Sequence, residues 1–267
     1  MRCPSAARLV SFVASLILAS PALAAPGLKL SWDQCSADGR VGNRSFACDT
    51  NDGEEVLFLS YEPPVAAPDV AAIEVTLHVQ SSDGVLPEWW RIYGVGSCRL
   101  TALTQGTTGV PGSACVDPYQ GVAAGGIAGF APDPHGTPDW RILAIIAVPV
   151  DYVFSIATGT EYFAMRLILR HVKTVGSGAC AGCATPVCLG FGRAKIVDKL
   201  GQTALDMFAG GPNTGGDPTA VTWQGAYTRD YTVGPDMTIE YAYMTCDPDR
   251  SVPVRRSAWG AVKALYR

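Results

Sequence analysis

The segment "CAGCATPVCLG" sets three thiols, Cys180, Cys183 and Cys188, within nine residues. Three chemistries use cysteines at such spacing. As thiolates they can hold zinc, for which His171 or Cys246 is available as a fourth ligand. Cys180 and Cys183 can form a dithiol redox pair, or each sulfur can close a crosslink to a distant cysteine. Zinc modules built on C-x-x-C carry a second paired knuckle, and thioredoxin-like pairs sit in a βαβ setting. This chain has neither around Cys183, so crosslinking is the preferred reading.

Few other residues suit bond-making chemistry. The nucleophile elbow G-x-S-x-G is absent. The three histidines, His78, His135 and His171, stand in no HExxH or other metal-binding pair. The densest polar cluster is "APDPHGTPDW", where Asp133, His135 and Asp139 can bind a cation or polarise a water, although Asp and Pro are also ordinary turn material. Carboxylates are scattered, and none stands out as a pair for sugar hydrolysis.

Two stretches carry residues suited to binding instead. "DTNDGEE" offers calcium the oxygens of Asp49, Asn51, Asp52, Glu54 and Glu55. Gly53 falls at the fifth place, however, where an EF-hand needs glycine at the sixth, and Asp52-Gly53 also reads as a hairpin turn before a strand at 55–61. In "EWWRIY", an extended backbone sends Trp89 and Trp90 to opposite faces, so that one ring with Arg91 or Tyr93 forms a stacking platform for a sugar. The competing reading covers both rings, as is usual for tryptophan.

The elements that must position these residues depend on the compartment. Arg2 and Arg8 precede an apolar run from Leu9 to Ala19, and the small-residue triplet Ala22-Leu23-Ala24 follows: a secretory leader over 1–24, too short for the roughly 20 residues of a membrane span. Cys3 leaves with it, so eight cysteines remain for an oxidising environment: Cys35, Cys48, Cys98, Cys115, Cys180, Cys183, Cys188 and Cys246. Loop lengths suggest two local staples, Cys35 with Cys48 and Cys98 with Cys115, and tie Cys246 back to the 180–188 loop. The leader holds two of the 20 basic residues and no acid, leaving 18 against 24 acids, a formal charge of −6 that argues against a nucleic-acid partner. No other apolar run is long enough to span a bilayer; the longest, 142–150, ends at Asp151.

Period-two alternation dominates the mature chain. At 72–80 Ile73, Val75, Leu77 and Val79 face one way and Glu74, Thr76, His78 and Gln80 the other; 161–172 and 238–245 repeat the scheme. Further strands are expected at 28–34, 55–61, 88–94, 140–149, 188–198 and 220–227, with 140–149 apolar on both faces as if covered on each side. Gly- and Pro-rich turns separate them. The fold expected over 25–249 is all-β, a disulfide-stapled two-sheet β-sandwich of jelly-roll or immunoglobulin-like type.

The last segment, 250–267, is a basic tail or short helix: Arg250, Arg255, Arg256, Lys263 and Arg267 with no acid, and an apolar stripe of Trp259, Val262 and Tyr266 behind Ser257 as cap. It reads either as a helix docked on the sandwich or as a tail engaging an acidic partner or export machinery. Together with "LSWDQC", "FACDTNDG", "PEWWRI" and "CAGCATPVC", its "WGAVKALYR" resembles a group of exported bacterial β-rich, cysteine-containing proteins without an assigned activity. That resemblance implies export and transfers no mechanism. The function expected is therefore an exported, non-catalytic protein with a binding or structural role outside the cytoplasm or at the envelope, with a glycan or an envelope component as partner and no cofactor beyond calcium. The alternatives are a secreted hydrolase on a jelly-roll scaffold and a carbohydrate-binding module using Trp89 and Trp90.

Overall fold

A computed structural model describes residues 26–134, 138–209, 219–232 and 243–247. Within them the strands are β1 (Gly27–Trp32), β2 (Asn43–Arg44), β3 (Glu54–Glu62), β4 (Ala67–Ser81), β5 (Leu103–Gly106), β6 (Ala124–Pro132), β7 (Trp140–Ala147), β8 (Phe154–Ile156), β9 (Tyr162–Arg170), β10 (Val187–Asp198), β11 (Thr203–Phe208), β12 (Ala220–Trp223), β13 (Tyr227–Thr232) and β14 (Tyr243–Asp247). They form a four-stranded sheet in the order β1-β3-β9-β5, a larger one in the order β2-β12-β10-β4-β7-β6 with β11 on β10 and β8 on β4, and a β13-β14 ribbon. The leader, His135, the 250–267 tail and the first half of the strand expected at 238–245 lie outside the described residues.

Alternation builds the sandwich. Leu57, Leu59 and Tyr61 of β3 and Met165, Leu167 and Leu169 of β9 merge with Ile73, Val75, Leu77 and Val79 of β4 and Ile142, Ala144 and Ile146 of β7 in one buried cluster. The chain is thus the expected disulfide-stapled two-sheet β-sandwich. Where registers slip, side chains repair the ladder. Ala164 is the extra residue where β9 passes β3, and its carbonyl accepts the Tyr119 hydroxyl at 2.8 Å.

Two strand expectations are corrected. Glu88–Trp90 is a single 3-10 turn, because Pro87 ahead of it and the bond from the Trp89 N–H to the Ala181 carbonyl, 2.8 Å, turn the chain out of any sheet. Strand β7 is covered on one face only, since Leu143 and Ile145 on the other are 45% and 41% exposed. Gly53 does take a positive φ of 94°, but no hairpin forms there, because β2 pairs with β12 and not with β3.

The disulfides are Cys35–Cys115, Cys48–Cys183, Cys98–Cys180 and Cys188–Cys246, spanning 80, 135, 82 and 58 residues. The expected return of Cys246 to the 180–188 loop is present, through Cys188. Neither local staple forms. Cys35 bolts its turn to the 107–123 excursion, while Cys48 and Cys98 both reach the C-x-x-C loop, so sheet packing and not sequence distance decides the partners. With all three cluster thiols oxidised, the zinc and dithiol readings fall.

Candidate functional site

The predicted platform lies inside the protein. Trp89 and Trp90 are both 0% exposed. Trp89 stacks on Trp223 at 5.3 Å, and Trp90 meets both rings edge-on at 5.4 and 5.5 Å. The carbohydrate-stacking expectation is therefore corrected: in a 3-10 turn the two side chains are not forced to opposite faces, and both enter the gap between the sheets. The indole of Trp223 donates to the Cys183 carbonyl at 2.8 Å and that of Trp89 to the Thr174 hydroxyl at 2.9 Å, so the C-x-x-C loop and the segment after β9 anchor the aromatic stack. Of the other platform residues, exposed Arg91 lies 5.9 Å over the Trp140 ring, and the Tyr93 hydroxyl donates to the Ile127 carbonyl of β6 at 2.9 Å.

Arg99 was not predicted and closes this cluster. Its guanidinium lies 3.5 Å from the Trp89 ring centre and donates to the carbonyls of Val172 (2.9 Å), Trp89 (2.7 Å) and Arg170. Burial pulls it down to about 9, so it remains a cation at neutral pH, held by carbonyl dipoles and an aromatic face. In sequence it is one arginine beside a cysteine, and no pattern marks it.

Of the oxygens expected to converge on calcium, those of Asn51 and Glu55 are engaged elsewhere. Asn51 Oδ1 accepts the Thr174 and Val175 N–H groups at 2.7 and 3.0 Å. The Asp52 carbonyl accepts the Nδ1–H of His171 at 2.7 Å. Glu55 points to Arg44, 2.6 Å, and to His171 Nε2, 3.2 Å, while Arg44 also grips Asp33. Asp49, Asp52 and Glu54 are left exposed, and among the described residues no group of three or more His, Cys, Asp or Glu side chains can hold a metal. This region is a strut joining β2, β3 and the segment after β9, with Phe46 stacked on His171 at 3.8 Å.

Of the expected Asp133, His135 and Asp139 cluster, His135 lies outside the described residues, and the two aspartates meet different side chains. Asp139 Oδ2 lies 3.1 Å from His78 Nδ1, and Asp133 lies 2.9 Å from Arg141, all beside β7. A buried histidine oriented by a buried aspartate is the base-and-orienter half of a hydrolytic triad. The other edge of the ring lies against Gly192, where an added Cβ would stand 2.5 Å from His78 Nε2, so backbone occupies the place a nucleophile would take. Sequence could not show this pair, because β4 and β7 are neighbours only in the folded sheet.

One cleft opens to solvent between the 33–38 turn and the 110–113 loop, with a volume near 270 Å³. Phe58 lies along it, Val110 and Pro111 form one wall, and Asp33, Gln34 and Asp38 line the other. Asp38 holds the opposite loop by accepting the Ala114 N–H at 2.7 Å and the Ser113 hydroxyl, and the Cys35–Cys115 bond fixes the two walls. Such a space is below the size of drug-like sites and suits a small ligand or one side chain.

The four disulfides are consistent with folding outside the reducing cytoplasm, and no helix among the described residues is long and apolar enough to cross a membrane. Comparison of the chain with family models, with curated proteins and with solved structures finds no match in any of the three.

Proposed function

We propose that the chain is an exported, non-catalytic β-sandwich with a structural or binding role outside the cytoplasm or at the cell envelope. The observation that carries this reading is where the reactive side chains go. His78 is held by Asp139, His171 bridges Asp52 and Glu55, and Arg99 is enclosed by three carbonyls. Groups able to act on a substrate instead connect strands, and four disulfides of long sequence span add to the same framework. For a binding role, the cleft along Phe58 is where a small ligand or a side chain of an envelope partner would sit.

The test is expression of the full chain in a bacterial host, followed by fractionation, N-terminal sequencing and thiol counting. The expected product is outside the cytoplasm, begins at Ala25 and contains no free thiol. An intact leader with all nine thiols free in the cytosol sinks the proposal. A panel of ester, glycoside, peptide and phosphoester substrates should show no turnover. Turnover that disappears in His78→Ala would replace this reading with the hydrolase one.

A further inference from the structure

On the face of the first sheet opposite Leu28 and Leu30 lies a charge cluster that no site above uses. Lys29 of β1 is 2% exposed, Glu62 at the end of β3 is 4% exposed, and Glu161, just ahead of β9, is 8% exposed. Lys29 Nζ stands 3.2 Å from Glu62 Oε2 and 3.3 Å from Glu161 Oε2. The two glutamates differ in their other bonds. Glu161 Oε1 accepts the Ser60 hydroxyl at 2.6 Å and the Ser36 N–H at 3.1 Å. Glu62 is bonded to Lys29, with no such donors among the described residues.

As an ion cluster this arrangement is costly. Each buried ion loses several kcal/mol of hydration, and two carboxylates facing one ammonium leave a negative charge uncompensated by the contacts above. The same set is what amide formation requires: an amine, a carboxyl group within reach, a second carboxylate to carry protons, and a site from which bulk water is excluded. Nζ is already at hydrogen-bond distance from the carboxyl it would attack, so a short movement brings it to the roughly 3–3.5 Å of a reactive approach.

We propose that Lys29 and Glu62 condense to an intramolecular amide, with Glu161 as the base. A proton passes from the Lys29 ammonium to the Glu62 carboxylate, giving a neutral amine and a neutral acid. The nitrogen lone pair attacks Glu62 Cδ, and Glu161 takes a proton from nitrogen and delivers it to the departing hydroxyl. The C–O bond breaks, one water leaves and an N–C bond remains; nothing is oxidised or reduced. The product joins β1 to β3 by a bond that thiol reductants do not open.

The intact mass of the reduced and alkylated mature chain tests this directly. It should fall short of the sequence mass by one water, and a peptide map should show the Lys29 peptide joined to the Glu62 peptide. Glu161→Gln, with its fold checked by circular dichroism, should return to full mass. Glu62→Gln should lose ammonia in place of water, because the leaving group is now an amine. Wild-type protein at full mass with an unlinked Lys29 overturns the proposal, as does a linkage to Glu161. Loss of water that persists in Glu161→Gln overturns the role given to that base.

Discussion

Tyr61 is fully buried, and its hydroxyl has no hydrogen-bond partner among the described residues. Burial first, and the neighbouring Tyr162 second, hold it well above the ordinary tyrosine range; burial also raises Tyr119. The unfolded chain releases these protons near pH 10 and the folded one does not, so stability should fall as pH rises above about 10. Arg99, pulled down to about 9 by burial, works the other way above that pH, one group against two. Tyr61→Phe should raise stability at neutral pH by about 1 kcal/mol, since it deletes an unsatisfied buried group, and should flatten the alkaline limb. Urea unfolding at pH 7 and pH 10.5 checks both, and a destabilised variant would show that the hydroxyl has a partner after all. At this scale the sequence was least legible. "EWWRIY" looks like a strand because it is aromatic-rich and alternates, yet Pro87 and the bond to Ala181 set its backbone, and nothing local reveals a partner so far along the chain. Arg99 and the Lys29, Glu62 and Glu161 cluster are invisible for the same reason: each is an ordinary charged residue until strands distant in sequence cover it.

At the level of elements, reading period two succeeded where a strand has one buried face. In β4 and β9 the predicted inward rows, Ile73 to Val79 and Phe163 to Leu169, are buried, but so are His78, Gln80 and Tyr162, which were expected to face outward. It failed for β7, where Leu143 and Ile145 are apolar without being covered. Alternation also says nothing about register slips. Gly192 of β10 is the extra residue between Phe191, opposite Leu77, and Arg193, opposite Thr76, and the His78 ring lies across it. An added Cβ would stand 2.5 Å from ring atoms Cδ2 and Nε2 of a histidine that Asp139 holds in place. Gly192→Ala should therefore cost about 1–3 kcal/mol. His78→Ala in the same background should recover part of that loss, because the obstructing ring is gone. Thermal melts of the two single variants and the double variant measure the coupling, and strict additivity would mean that the contact is not the cause.

For the whole molecule, cysteine number and fold class could be read in advance, whereas the pairing depends on which loops the two sheets bring together. Removing any one bridge should cost about 2–5 kcal/mol, the usual range for a native disulfide. The order of the bonds along the chain has a different consequence, one for the route and not the destination. Three of the four interleave: Cys35 waits for Cys115 while Cys48 and Cys98 lie between them, and both of those wait for the C-x-x-C loop. A chain oxidised from its first cysteine onward can link Cys35 to Cys48, or Cys98 to Cys115, before Cys180 and Cys183 emerge. Early products of air oxidation should carry these neighbour links, and a thiol–disulfide isomerase should raise the yield of native protein several-fold. Peptide mapping at timed quenches would reveal it, and direct appearance of the four native links at equal rates without the isomerase would refute it. Such a chain requires an environment that edits its crosslinks, not one that merely makes them.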